Sequence, residues 1–239
     1  MKGIILAGGR GTRLYPSTMI YNKHLTMVYN KPMILFAIEC LKASGIRDII
    51  ISLSYDKPDQ FIEFLKDGSD LNVELTYTVQ KEPKGIAYAI WQAKHLLEDD
   101  KFVCVLADNI FETSLAPYTA YFALTTDYDA VILLKKSKQP ERYGVARFGK
   151  AKLVELLEKP KAPPSNYIML GAYLFTPKFF EIFPEMKPSK RNEYEITDAI
   201  NLLLPKVKYF IYDNVWLDLG TPDDILKCAL WLKKKEGKK

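Results

Sequence analysis

Histidine is nearly absent from this 239-residue chain, with two copies, and cysteine is scarce, with three. His24 and His95 have no His, Cys or Asp partner at metal-ligand spacing, which excludes a zinc centre built on them. Cys40, Cys104 and Cys228 stand far apart and form no CxxC pair, so neither a disulfide framework nor a zinc knuckle is expected. Each lies in an apolar stretch and reads as a small buried hydrophobe. Long apolar runs are missing too, which excludes a membrane-spanning helix. The short apolar start Met-Lys-Gly-Ile-Ile-Leu-Ala runs straight into glycines and lacks the form of a secretory signal, so a cytoplasmic protein is expected. Glutamine occurs four times while Lys, Arg and Glu abound, a composition that points towards a thermophilic source. The net charge is +5, but its carriers are dispersed. Only Lys233 to Lys239 forms a basic run, which reads as a solvated end and not as a nucleic-acid patch.

What is present is an ordinary globular composition, 48% hydrophobic and 26% charged, in a chain long enough for one large domain. Lys2 to Ala7, Asp48 to Ser54, Val73 to Gln80, Phe102 to Asp108 and Ala130 to Lys135 read as strands, several of them unbroken aliphatic runs suited to burial on both faces. Between them lie helical patterns. One opens at Pro32, repeats Met33, Phe36, Ala37, Cys40 and Leu41 on one face, and closes at Ser44-Gly45. Others fall near Pro58 to Lys66, Gly85 to Leu97 and Ser114 to Thr125. This alternation predicts a mainly parallel, Rossmann-like α/β sheet sandwiched by helices. From Gly144 the pattern changes. Gly144 to Phe148, Lys152 to Glu158 and Tyr167 to Phe175 read as strands joined by short turns, an antiparallel insertion. Helices near Tyr194 to Leu204 and Asp223 to Lys233 flank a strand at Val207 to Tyr212. With no linker or repeat, residues 1–239 are expected to form a single domain, in two parts at about 1–135 and about 136–239.

The most informative segment is Leu6-Ala7-Gly8-Gly9-Arg10-Gly11-Thr12-Arg13-Leu14. Glycines after a strand let a ligand approach the backbone, their amides can cradle phosphate oxygens, and Arg13 can add charge-assisted hydrogen bonds. A plain strand-to-helix turn is the competing interpretation. The loop is neither a P-loop, which needs Lys-Ser/Thr after its second conserved glycine, nor a dinucleotide fingerprint, since Leu14 stands where the third glycine belongs.

The segment resembles the signature of the sugar-nucleotide pyrophosphorylases, and within that nucleotidyltransferase family the resemblance is greatest to its thymidylyltransferase members. It continues through Asn22-Lys23-His24-Leu25, Asn30 to Ile34, Val79-Gln80, Gly85, Ala107 to Phe111, Glu141 to Val145, Glu158-Lys159-Pro160, Gly171, Glu193 to Asp198 and Trp216 to Thr221. The resemblance implies joining of glucose 1-phosphate to the nucleotidyl group of dTTP or UTP, with release of pyrophosphate and dependence on Mg2+. It implies nucleotide contacts from Leu6, Gly8, Gly9, Gly11, Thr12, Arg13, Gln80 and Gly85. It places Tyr143, Gly144, Glu158, Lys159, Gly171 and Tyr173 around the sugar phosphate, and Asp108 and Asp218 on the metal. Arg13, Lys23 and Lys159 are the implied catalytic cations.

The chemistry suits these residue types. Both reactants are anions, so the task is charge neutralisation and in-line positioning. Arginine grips phosphate in two-pronged fashion, lysine acts as a point charge, and magnesium takes few carboxylates beside phosphate and water. A glutamine amide can both donate to and accept from a pyrimidine edge. No strong base is needed, so neither histidine is assigned a role. Taken singly, each residue has a plainer interpretation: Asp108 as a turn residue, Lys23 as a solvated lysine, Glu158-Lys159 as an exposed ion pair, Tyr143 and Tyr173 as sheet packing. Ala107 departs from the glycine usual before the metal aspartate. A uridylyltransferase and a non-catalytic nucleotide-sugar-binding homologue are the alternatives, the second opposed by the presence of Arg13, Lys23, Asp108, Lys159 and Asp218 together. The chain also lacks the longer helical tail of many family members. A monomer or small homo-oligomer without a separate regulatory site is therefore expected, with no nucleic-acid or membrane partner.

Overall fold

The computed structural model describes residues 1–150 and 152–237. In chain order the elements are β1 (Lys2–Ala7), β2 (Met27–Val28), β3 (Lys31–Pro32), α1 (Met33–Ala43), β4 (Asp48–Leu53), α2 (Pro58–Leu65), β5 (Glu74–Val79), α3 (Ile86–Gln92), α4 (Lys94–Leu97), β6 (Phe102–Leu106), β7 (Asn109–Phe111) and α5 (Ala116–Leu124). There follow β8 (Ala130–Lys136), β9 (Gly144–Gly149), β10 (Lys152–Glu158), β11 (Tyr167–Phe175), α6 (Lys178–Ile182), α7 (Ile196–Leu202), β12 (Val207–Ile211), β13 (Trp216–Asp218) and α8 (Pro222–Glu236). The fold is α/β, as the alternation of patterns predicts. Among the described residues no helix is long and apolar enough to cross a membrane.

The chain divides into two compact units that interleave in sequence. The amino-terminal unit comprises Gly3–Glu82, Val105–Ala116 and Asn214–Lys239; the central unit comprises Met1–Lys2, Pro83–Cys104 and Pro117–Asp213. A division near residue 135 matches neither set of limits.

In the amino-terminal unit β1 pairs in parallel with β4, Ile4 opposite Ile50, and β4 pairs in parallel with β5. The aliphatic runs Ile-Ile-Leu-Ala and Ile-Ile-Ile-Ser-Leu are wholly buried or nearly so, which is why they read as continuous and not alternating. α1 buries Met33, Ile34, Ala37, Ile38 and Leu41, while Phe36 and Cys40 are only half-buried. Its buried stripe is thus shifted by one position from the expected face. β7 and β13 form an antiparallel pair, and their Ile110 packs with Leu219, Val28, Met33 and Cys228. α8 starts on a side-chain cap: the Thr221 hydroxyl accepts from the Asp224 amide and donates to its carboxylate at 2.6 Å.

In the central unit β9 and β10 are antiparallel, as are β8 and β11, whereas β12 runs parallel to β8. The antiparallel part expected from Gly144 onward therefore takes in β8 as well. The reason is that β8 is joined to its neighbour β11 through the β9–β10 hairpin and not through a crossover helix. Phe102, Phe175, Phe179 and Phe180 stack or meet edge-on, with ring centroids 4.9–6.2 Å apart, in this unit's core. The helix expected from Gly85 to Leu97 is interrupted. The Ala93 amide bonds back to Ile90, a tighter turn that separates α3 from α4.

Gly85 carries a specific backbone demand. Its φ is +97°, and a Cβ there would lie 2.7 Å from the Tyr194 carbonyl oxygen and 2.9 Å from the Tyr194 nitrogen. That backbone bonds to the segment on both sides, Tyr194 N donating to Lys84 O and Ala87 N to Tyr194 O. Gly85→Ala is expected to cost about 2–3 kcal/mol, combining a glycine-only conformation with a backbone collision. Urea denaturation would measure it, and a loss below about 0.5 kcal/mol would contradict this account of the turn.

Candidate active site

The glycine loop leaves the carboxyl end of β1 and continues through short 3-10 turns at Thr12–Leu14, Ser17–Met19 and Lys23–Leu25. Gly11 has φ +64°, and a Cβ there would lie 2.8 Å from the Lys23 Cβ and 3.0 Å from the Thr18 methyl. Only glycine fits both the left-handed backbone and that contact. The Thr18 hydroxyl donates to Gly11 O at 2.8 Å and pins the loop. Residues 19–22 are held from below: Lys57 Nζ donates to Met19 O at 2.8 Å, and Gln60 accepts from the Asn22 amide at 3.0 Å.

Gln80 follows β5 and is buried. Its amide lies over Gly8, where a Cβ would come within 2.4 Å of Nε2. Gln80 Nε2 donates to the buried Ser52 Oγ at 3.1 Å. Leu6 is buried at the end of β1, Gly8 is half-buried, and Gly9, Thr12 and Arg13 are exposed.

Lys23 is 9% exposed, and its Nζ lies 2.5 Å from Asp108 Oδ2. It is therefore not a solvated lysine. Asp108 occupies the turn between β6 and β7, where Asn109 Nδ2 donates to the other carboxylate oxygen at 2.9 Å. Burial pushes the Asp108 carboxyl up, but the adjoining Lys23 ammonium and the Asn109 amide outweigh it and hold the group below the ordinary carboxylate range. His24 is buried beside them and pushed down to about 4 by burial and by Lys23, so it is neutral near pH 7. Its ring lies under the loop, with Cε1 3.6 Å from where a Gly9 Cβ would be.

Asp218 ends β13 opposite Asn109, and the Leu219 amide donates to Asp108 O at 2.9 Å, so the two aspartates ride on adjoining backbone. Arg13 Nη1, Asp218 Oδ2 and Asp224 Oδ2 each lie 3.8 Å from the point a Gly220 Cβ would occupy. Among the described residues no group of three or more His, Cys, Asp or Glu could cage a metal. Asp108 in the turn and Asp218 at the end of β13 supply carboxylate oxygens, the ligand type that magnesium takes beside water and phosphate.

The central unit gathers a second set. Gly144 opens β9 opposite Glu158 at the end of β10, and the Lys159 amide donates to Tyr143 O at 3.0 Å. Tyr143, Gly144, Glu158 and Lys159 are thus one cluster. Lys159 is in the left-handed region, φ 44°, an uncommon state for a residue with a side chain. Its Nζ lies 3.4 Å from Glu158 Oε1. Arg191 Nη2 reaches the same oxygen at 3.3 Å, and the Thr197 hydroxyl reaches Oε2 at 3.5 Å. Arg191 also binds the buried Glu195 through two nitrogens, at 3.1 and 2.8 Å. Burial pushes the Glu158 carboxyl above its ordinary range; Lys159 and Arg191 oppose the shift, whereas Glu195 adds to it. Gly171 is buried where the β8–β11 register breaks between Met169 and Tyr173. Tyr173 is buried, with its ring 6.4 Å from Phe175, and so packs as a core residue. Gly85 belongs to this unit, and the space beside it is filled by Tyr194.

Ser52 and Arg191 take part in these clusters without a sign in the sequence, since each is the partner of a residue about 30 positions away and such partnership has no local signal; Asn109 and Glu195 stand in the motif segments but carry no role of their own there.

A glycine- and arginine-rich loop after the first of several parallel strands, beside a lysine-paired aspartate, is the make-up of a nucleotide-handling α/β protein. The chain belongs to the nucleotidyl transferase family, whose model matches residues 2–235. It is 38% identical over 244 residues to the low-salt glycan biosynthesis nucleotidyltransferase Agl11 of Haloferax volcanii, covering 100% of this chain and 68% of that protein. It is 36% identical over 238 residues to the glucose-1-phosphate thymidylyltransferase of Neisseria meningitidis, covering 98% and 83%. A crystal structure from Bacillus anthracis, assigned as a glucose-1-phosphate thymidylyltransferase and solved with sucrose, superposes with a TM-score of 0.91 at 39% identity, over 97% of this chain and 94% of that one. The protein is a nucleotidyltransferase of the sugar-nucleotide pyrophosphorylase type.

Proposed function

We propose that the protein is a glucose-1-phosphate thymidylyltransferase, converting dTTP and α-D-glucose 1-phosphate to dTDP-glucose and pyrophosphate. An oxygen of the sugar phosphate attacks the α-phosphorus, the bond from that phosphorus to the bridging oxygen breaks, and pyrophosphate leaves. The attacking oxygen is already ionised, so no base is required. The observation that carries this reading is the gathering of Arg13, Lys23, Asp108 and Asp218 about one glycine loop, with Lys23 against Asp108 and Arg13 near Asp218. The names of the Neisseria and Bacillus relatives support the choice of substrates.

Each group has a task under this reading. Arg13 and the loop amides hold the triphosphate, and Lys23 lies against Asp108 where charge builds up during transfer. Asp108 and Asp218 would hold magnesium, which when bound supplies neutralisation of the phosphates. Gln80, flat against Gly8, presents its amide to the pyrimidine edge. Lys159 takes the phosphate of glucose 1-phosphate, and Glu158 accepts from sugar hydroxyls. Thymine and uracil share the edge that Gln80 would read, so UTP is expected to be a weaker alternative substrate.

Pyrophosphate release with a panel of triphosphates and sugar 1-phosphates tests the proposal. The dTTP and glucose 1-phosphate pair should give the highest kcat/KM; a preference for a purine triphosphate would reject it. Gln80→Leu should lower kcat/KM for dTTP and UTP together by about 10- to 100-fold, since an unmet buried polar group costs about 1–3 kcal/mol. The KM for pyrophosphate in the reverse direction should hardly change. Parental dTTP kinetics in this variant would remove Gln80 from the base site.

A further inference from the structure

Asn109 is 4% exposed and opens β7, directly after the aspartate of the turn. Its amide spans two side chains. Nδ2 donates to Asp108 Oδ1 at 2.9 Å, and Oδ1 accepts from Trp216 Nε1 at 2.9 Å. The orientation of the amide is set by chemistry and not by choice. An indole N–H can only donate and an ionised carboxylate can only accept, so the oxygen must face Trp216 and the nitrogen Asp108. Trp216 and Asp218 lie on β13, and Asp218 stands opposite Asn109 in the β7–β13 ladder. One side chain therefore ties the carboxylate of Asp108 to the strand that carries Asp218. The two Asp108 oxygens are divided between partners, Oδ2 towards Lys23 and Oδ1 towards Asn109.

We propose that Asn109, oriented by Trp216, is a positioning residue that fixes the Asp108 carboxylate relative to Asp218 and so sets the affinity for the divalent cation. The inference rests on the reading of Asp108 and Asp218 as metal ligands. Outer partners of metal-binding carboxylates commonly change affinity by about 10- to 100-fold when removed. Without the amide donor, Asp108 Oδ1 turns more freely about the Cβ–Cγ bond, and rotamer freedom must be lost again each time the cation binds. Asn109→Leu keeps the volume and removes the donor. Trp216→Phe keeps a ring on β13 and removes the indole N–H that holds the amide.

The test is equilibrium binding of Mn2+, followed by the electron paramagnetic resonance of free Mn2+ in the presence of a dTTP analogue with a non-hydrolysable α–β bridge. Thermal melts of each variant accompany it. Asn109→Leu should weaken Mn2+ binding about tenfold. Trp216→Phe should weaken it by a smaller factor in the same direction, and the Mg2+ concentration for half-maximal turnover should rise in parallel. The KM for glucose 1-phosphate should stay within about twofold, which a general loosening of the structure would not spare. Asp108→Asn is the control. If Asp108→Asn abolishes Mn2+ binding while a folded Asn109→Leu binds as the parent does, the positioning role is overturned and the metal assignment stands. If Asp108→Asn binds Mn2+ as the parent does, the metal assignment falls and the positioning role with it. Should Asn109→Leu fail to fold, Trp216→Phe decides: unchanged Mn2+ affinity there overturns the proposal.

Discussion

Asp218→Asn is expected to lower kcat/KM by at least about 100-fold in saturating magnesium, about 3 kcal/mol of transition-state stabilisation, while leaving the fold intact. Asp108→Asn should lose as much activity and also some stability. Its carboxylate pairs with Lys23 at 2.5 Å, and Lys23 is 9% exposed. Removing one partner of a shielded pair leaves the other charge uncompensated, at a cost of roughly 3 kcal/mol at most here, because the Asp108 side chain is itself 22% exposed. The two aspartates should therefore separate in a denaturation experiment although they coincide in the activity assay. A chelator should stop turnover of the parent protein. A near-normal rate for either variant would reject the assignment of both carboxylates.

The second large effect concerns the division of labour between cations. Lys159→Ala is expected to raise the KM for glucose 1-phosphate by about 10- to 100-fold and to change that for dTTP little; Arg13→Ala should do the reverse. The two residues belong to different compact units, Arg13 beside Asp218 and Lys159 beside Glu158. Lys159→Ala has a structural side effect of small size, since alanine tolerates φ 44° no better than lysine does. Lys159→Gly would relieve that strain while still removing the ammonium, so its kinetics should match those of the alanine variant. If Arg13→Ala and Lys159→Ala raise the KM for the same substrate, the assignment of one cation to each reactant is wrong.

The regular elements were legible because burial imposes them locally. β1 and β4 are aliphatic runs buried throughout, and their bounds follow from where those runs stop. The β9–β10 hairpin follows from two short strand patterns around Gly149. The parts that were not legible depend on distant partners. The turns from Thr12 to Leu25 show no period, because their backbone is satisfied by Thr18, Lys57 and Gln60 and not by a ladder. The short strands β7 and β13 are visible only as a pair, joined across residues 109 and 218. β8 reads as one more parallel strand until its partner β11 is known.

The site divides in the same way. The loop glycines and Arg13 stand out in the sequence from residue type and spacing alone. Lys23 was not, since a lysine in an irregular segment is usually solvated; its meaning comes from Asp108, far along the chain. Gly85 enters the sequence reading only as an implied nucleotide contact, and the contact that requires a glycine there is the Tyr194 backbone. Tyr173 shows the opposite case, a residue expected near the sugar that packs in the core beside Phe175. Arg191 and Glu195 brace Glu158, and the run of charges from Arg191 to Glu195 gives no hint of which acid each cation meets.

The central claim is transfer of a thymidylyl group to glucose 1-phosphate, and the fate of labelled phosphorus tests it most directly. The protein would be incubated with magnesium, glucose 1-phosphate and dTTP labelled either at the α-phosphorus or at the γ-phosphorus, and the products separated. The account predicts that the α label appears in a dTDP-sugar and the γ label in pyrophosphate, in equal amounts and only when glucose 1-phosphate is present. Release of the γ label as orthophosphate, or of the α label as free dTMP independent of the sugar phosphate, would contradict it.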